Sequence, residues 1–175
     1  MIAGRGAGGR SGLRPSPQLI DRLYRAARAM CGSADADDLV QETFAQVLAR
    51  PRAFRAGDPL PYLMRALRNT YLTSLRTAGR RPRTVALATH EGSTMQSSLA
   101  RPDAALEERM TFEAIASLSD DFRAVLVAVD IIGLSYGEAA AALDTREATI
   151  ASRLFRARQR VSGVLCDARS YGTDG

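Results

Sequence analysis

An all-α fold is predicted from three observations. Apolar residues recur at three- and four-residue spacings through most of the chain, no segment alternates as a half-buried strand would, and one long central stretch loses periodicity altogether. The predicted architecture is two small helical domains joined by a flexible linker, the second containing a helix-turn-helix. A chain of 175 residues suits this division.

The first helix is expected from Pro17 to Cys31, with Leu19, Ile20, Leu23, Tyr24, Ala27 and Met30 inward and Gly32 as its stop. A second follows from about Ala34 to Ala49, before Pro51. In "GDPLPYL", Asp58 suits a cap and Pro59 the first helical position, so a third helix runs to about Arg76. Its buried stripe is Leu60, Leu63, Met64, Leu67, Tyr71 and Leu75. Residues 78–103 mix Gly, Pro, Ser and Thr and read as a linker. A fourth helix spans 103–117, and Ser119 caps a fifth that ends at Gly133. Ser135 and Glu138 form a capping-box pattern opening a short helix to Leu143. After the turn Asp144-Thr145, a last helix reaches about Cys166. The domains are therefore 17–77 and 104–168, with disordered tails at 1–16 and 169–175.

All the basic side chains are arginines, and the formal net charge is +5. Residues 51–101 hold nine Arg against Asp58 and Glu91, a net of +7. Residues 102–144 hold two Arg against nine acids, a net of −7, and 145–170 hold six Arg against Glu147 and Asp167, a net of +4. This alternation suggests surfaces for different partners. Cys31, Cys166 and His90 make no four-ligand zinc set, so neither a metal nor any other cofactor is expected. There is no phosphate-loop motif or nucleophile–base constellation to suggest an enzyme. Sparse cysteine and the lack of a long apolar run predict a soluble, cytoplasmic chain with no membrane insertion.

Three surfaces stand out. In "SADADDLVQETFAQVLAR", Asp35, Asp37 and Asp38 meet the positive end of a helix dipole, an effect of about 0.3–1 kcal/mol each. That does not account for Glu42. If Val40, Phe44, Val47 and Leu48 face inward, then Asp35, Asp38, Leu39, Glu42 and Gln46 point outward, an acidic rim around an exposed leucine that suits protein docking. The alternative, that the first helix covers Leu39, stays open. On the last helix, Ile150, Leu154, Ala157, Val161 and Leu165 share one side, while Thr149, Ser152, Arg153, Arg156 and Arg160 share another. Hydroxyls and guanidinium forks on the second helix of a helix-turn-helix suit base edges and phosphates. On the third helix, Arg65, Asn69 and Arg76 lie opposite Leu67, with Arg68 on the flank. For both basic helices a solvated surface is the competing reading, and a stand-alone helix-turn-helix regulator is a second functional hypothesis.

Three stretches, "DADDLVQETFAQVL", "PYLMRALRNTYLTSLR" and "LSDDFRAVLVAVDIIGLSYGEAAAALDTREATIASRLFRARQRV", occur in that order. Together they resemble the signatures of bacterial RNA polymerase sigma factors of the extracytoplasmic-function (ECF) group, over residues 17–77 and 104–165. The resemblance implies a non-catalytic subunit that directs core RNA polymerase to promoters and helps to melt them. It implies that Asp35, Asp38, Leu39, Gln41, Glu42 and Gln46 dock on the clamp helices of the largest polymerase subunit. Arg52, Phe54, Arg55, Tyr62, Arg65, Arg68, Asn69 and Arg76 would engage the minus-ten element. Arg146, Thr149, Ser152, Arg153, Arg156 and Arg160 would engage the minus-thirty-five element, while the apolar side of the second domain meets the flap of the second-largest subunit. Family habit adds an anti-sigma protein. The chain departs from the family pattern at Tyr62, usually tryptophan, at Thr73-Ser74, at Asp144, usually glycine, at Arg146, usually serine, and at Ala151, where lysine is common.

Overall fold

The computed structural model describes residues 16–49, 58–80 and 102–171. Residues 1–15, 50–57, 81–101 and 172–175 lie outside the described residues, and with them most of the expected linker and tails and Arg52, Phe54 and Arg55. Helix α1 (Pro17–Cys31) opens with Ser16 Oγ accepting from the Leu19 amide at 3.2 Å. It ends at Gly32, whose φ of 87° lets the chain reverse into α2 (Ser33–Ala49). Helix α3 (Leu60–Arg80) starts where Asp58 accepts from the Leu60 amide at 3.0 Å. It continues four residues past the expected Arg76.

In the second unit, α4 (Pro102–Ala116) leads to α5 (Asp120–Leu126). Ser119 sits at the start of α5, but its hydroxyl makes no capping hydrogen bond. Here the sequence expectation of one α-helix to Gly133 is corrected: Val127–Ile131 form a single π-helical turn. The Ile132 amide reaches back to the Val127 carbonyl at 2.9 Å. A run of β-branched side chains crowds an α-helix, and the wider turn buries both Val127 and Ile132 completely. It also presents Asp130 to Arg158, which grips both carboxylate oxygens at 3.0 and 2.6 Å. Helix α6 (Tyr136–Leu143) carries the expected capping box, with Ser135 and Glu138 satisfying each other's backbone amides. Both bonds to Ser135 hold the Glu138 carboxyl below the usual range. Helix α7 (Glu147–Tyr171) runs through position 169, where a tail was expected.

Leu23, Ala26, Ala27 and Met30 of α1 pack against Ala36, Leu39 and Val47 of α2 and Leu63, Met64 and Leu67 of α3. Val125, Val127, Ile132, Ile150 and Leu154 form the second core. The two units are in contact: α1 packs on α4, α5 and the π-turn, and α3 packs on α6, so the buried apolar side chains join into one cluster.

Several core expectations shift by about one helical position. Ile20, Leu75 and Leu106 are exposed, and Leu48 is 61% exposed, whereas Leu39 is only 6% exposed. The inward stripe of α2 is Ala36, Leu39, Val40, Thr43 and Val47, the face on which α1 and α3 pack. Leu39 is thus a packing residue and not the exposed docking anchor.

Cys31 donates to the Ala27 carbonyl at 3.2 Å, and burial, reinforced by Asp35, pushes its thiol pKa up to about 12. Asp144 closes α6 in the left-handed region, at φ 53° and ψ 55°.

Four outcomes follow. Leu39→Ala is expected to destabilise the fold by about 2–4 kcal/mol, read from urea midpoints. Asp144→Gly removes about 1–2 kcal/mol of left-handed strain but adds about 0.5–1 kcal/mol of unfolded-state entropy, so a net gain of about 0.5 kcal/mol is expected in the same assay. A thiol reagent at pH 8 should titrate one cysteine in the native chain, the exposed Cys166, and both after denaturation. Because the neutral Cys31 thiol is favoured only in the folded state, stability should fall as pH rises from the ordinary thiol pKa of about 8.5 toward 12, seen as a falling thermal midpoint.

Candidate protein and nucleic-acid interfaces

The amide-rich end of α2 carries its acids outward. Asp35, Asp38, Gln41, Glu42 and Gln46 are all exposed. Gln46 Nε2 donates to Glu42 Oε1 at 3.0 Å, one turn apart, and holds that carboxylate on the outer face. Asp35, Asp38, Gln41 and Glu42 edge a groove of about 1030 Å³ whose opposite wall includes Tyr71 and Leu75 of α3 and Arg123 of α5. Leu39 forms part of the groove floor. Among the described residues no ion pair involves Asp35, Asp38 or Glu42, so their charge faces outward uncompensated. An acidic groove with an apolar floor suits a basic, partly apolar protein surface.

On α3, Asn69 and Arg76 are exposed and Tyr62 is half-buried. Arg65 and Arg68 are turned toward the second unit. The Arg65 guanidinium donates to the carbonyls of Ala141 and Ala142 at the carboxyl end of α6, the latter at 3.3 Å. Those carbonyls have no partner within their own helix, and a cation there also meets the negative end of the dipole. Arg68 lies 3.8 Å from Asp121.

On α7, Ile150, Leu154 and Ala157 are buried, and Ser152 and Arg156 are exposed, as the expected periodicity requires; Arg146, one residue before the helix, is exposed as well. Thr149 is half-buried. Arg153 pairs with Asp121 at 2.9 Å. Arg160 lies over the Phe122 ring at 4.4 Å, an attraction of cation to π-face that holds it against α5.

The residue that sequence reading missed is Arg123. One terminal nitrogen donates to the Met30 carbonyl at 2.9 Å and to the Tyr71 hydroxyl at 2.7 Å, both across the seam between units. The other donates to the Ala116 and Leu118 carbonyls at 2.6 and 2.7 Å, closing the α4–α5 corner. Tyr71 in turn donates to Asp120 at 3.3 Å, and burial pushes its phenol above the ordinary range, which keeps that proton in place. Arg28 adds a second tie, 3.1 Å from Glu108 and 4.5 Å above the Phe112 ring. The available signal was faint: Arg123 is one of only two arginines in the acidic stretch 102–144. No described helix is long and apolar enough to cross a membrane.

Comparison with known proteins matches this arrangement in two pieces. Residues 18–81 match the family described as Sigma-70 region 2, and residues 109–161 match Sigma-70, region 4. The ECF RNA polymerase sigma factor EcfG of Rhodopseudomonas palustris is 37% identical over 161 residues, covering 89% of this chain and 86% of that protein. The ECF RNA polymerase sigma factor SigE of Mycolicibacterium smegmatis is 34% identical over 153 residues, 85% of this chain and 59% of that protein. Among solved structures, the sigma factor RpoE of Bartonella quintana, crystallised with the anti-sigma factor NepR, superposes with a TM-score of 0.65 at 26% identity, covering 85% of this chain and 92% of that one. CnrH, solved in complex with the cytosolic domain of CnrY, gives 0.61 at 26% identity, covering 86% of each chain. With two region matches in the right order, on helices that fold as the relatives do, the chain belongs to the ECF group of RNA polymerase sigma factors, the subunits that direct core polymerase to its promoters.

Proposed function

We propose that this sigma factor acts in the cytoplasm as a non-catalytic subunit and divides its work between one acidic surface and two basic ones. The acidic outer face of α2, with Asp35, Asp38, Gln41, Glu42 and Gln46, docks on the basic clamp helices of the largest polymerase subunit. Helix α3 and the segment before it, through Arg52, Phe54, Arg55, Tyr62, Arg65, Arg68, Asn69 and Arg76, engage the minus-ten element and help to open it. Extruding a base there costs a few kcal/mol and requires a receiving pocket. Helix α7, through Arg146, Thr149, Ser152, Arg153, Arg156 and Arg160, engages the minus-thirty-five element, and the apolar side of its unit meets the polymerase flap. An anti-sigma protein is the expected regulator, since the RpoE of Bartonella quintana was solved in complex with the anti-sigma factor NepR.

The observation that carries this reading is the outward, unpaired acidity of α2 in a chain of net charge +5. A helix dipole explains carboxylates in a first turn, but its influence fades beyond that turn. Glu42 lies more than two turns into α2, where the dipole no longer accounts for it and a docking partner of opposite charge would.

Asp38→Arg/Glu42→Arg reverses two exposed charges without touching the core. Its helical content should match wild type by circular dichroism. Its affinity for core polymerase, measured by fluorescence anisotropy of the labelled sigma chain, should fall at least a hundredfold. Wild-type assembly by that variant would remove the basis for the docking assignment.

A further inference from the structure

The docking face of α2 carries one carboxylate that is held in place. Glu42 Oε1 accepts from Gln46 Nε2 at 3.0 Å, and at its other end Gln46 Oε1 accepts from Thr70 Oγ1 of α3 at 3.3 Å. Asp35 and Asp38 have no comparable hydrogen bond among the described residues. A glutamine and a carboxylate one turn apart form only a weak pair on an isolated helix. Here the second bond ties the same amide to a neighbouring helix. Thr70 is only 4% exposed, and its one hydroxyl hydrogen is shared between Gln46 and the Ala66 carbonyl at 2.9 Å. The anchor is therefore a packed side chain, while Glu42 and Gln46 are exposed. The amide has one workable orientation. Reversed, it would set Gln46 Oε1 against Glu42 Oε1, two acceptors with no hydrogen between them. Glu42 and Thr70 both line the acidic groove, so the relay runs from its α3 wall to its α2 rim.

We propose that Gln46 is a positioning residue for polymerase docking: braced by Thr70, it holds the Glu42 carboxylate in the outward position that the basic partner meets. The inference rests on the assignment of Glu42 to that docking face. A glutamate side chain free in solvent samples many rotamers, and fixing it on binding costs affinity. A side chain already held when the partner arrives avoids that cost. The brace also explains why a neutral residue sits among the acids. A carboxylate at position 46 would repel Glu42 from one turn away, and an alanine would leave it unheld. Of side chains this long, only glutamine both donates to Glu42 and accepts from Thr70. Thr70 follows Asn69, one of the minus-ten residues proposed above, so the brace ties the docking carboxylate to the DNA-reading helix.

The test is a double-mutant cycle on the full-length chain, read as affinity for core polymerase by fluorescence anisotropy of the labelled sigma chain. Gln46→Met keeps the length of the side chain and removes both hydrogen bonds, and Glu42→Ala removes the carboxylate. Glu42→Ala should weaken binding about tenfold. Gln46→Met in the otherwise wild-type chain should weaken it about three- to tenfold, the cost of ordering one long side chain. In the Glu42→Ala background the same substitution should cause no further loss, because no carboxylate is left to position. Thr70→Val, which keeps the shape and removes the hydroxyl, should behave likewise in both backgrounds. Equal loss from Gln46→Met in both backgrounds would show that Gln46 touches the polymerase or supports the fold, and would overturn the positioning role. An unchanged affinity for Gln46→Met beside a weakened Glu42→Ala would overturn it as well. A Thr70→Val chain that binds like wild type would remove α3 from the brace. Wild-type binding by Glu42→Ala would instead refute the docking assignment itself, an outcome separate from the coupling.

Discussion

The guanidinium of Arg123 ties the molecule together at the point where its two halves meet. Its side chain is only 12% exposed, and a cation so placed costs several kcal/mol unless hydrogen bonds replace its water. Four protein oxygens from α1, α3 and the α4–α5 corner do so, and Asp120 supplies countercharge at 3.4 Å. The replacement is incomplete, because the buried Nε has no hydrogen-bond partner, a deficit of about 1–3 kcal/mol. A seam built this way is specific in geometry but modest in net strength. Carbonyls at the ends of α1 and α4 meet a fixed fork, so the units dock in one register.

Around that seam the charges are sorted by element. Asp35, Asp38 and Glu42 of α2 face the groove and have no ion-pair partner among the described residues, while Asp120 and Asp121, which begin α5, face the arginines of α3, α5 and α7. Asp35 and Asp38, like Asp120 and Asp121, sit near a helix amino end, where the dipole favours them, whereas Glu42 lies beyond its reach. The two sets differ in what lies opposite. Across from α2 is an open groove, and across from α5 is the chain's own basic surface. The same local preference thus produces an external docking face in one place and an internal contact in the other.

Where sequence reasoning succeeded, the physics was local. The caps at Asp58 and Ser135, the stops at Gly32 and Gly133, and the inward stripe Ile150–Leu154–Ala157 depend on neighbours within a turn or two, so periodicity and residue type are enough. Where it failed, partners from other elements decided. Leu39 and Leu48 are equally apolar and both lie on α2, but the packing of α1 and α3 against that helix settles which of the two is covered. The π-turn at Val127–Ile131 was read as ordinary helix because its cause is crowding against the core, together with the pull of Arg158 from α7 on Asp130.

By itself, the sequence determined an all-helical chain in two units, the positions of most helix ends, the ordered motifs of an ECF sigma factor, and an outward acidic face on α2. These are set by hydrogen bonds and side-chain spacing within single helices. Only the tertiary structure decided that Leu39 belongs to the core, that Arg123 anchors the seam, and that Arg65, Arg68 and Arg153 are engaged by the protein's own oxygens. The reason is separation along the chain: Arg65 meets Ala142, 77 residues away, and no periodicity encodes which distant acceptor a long, flexible cation will reach.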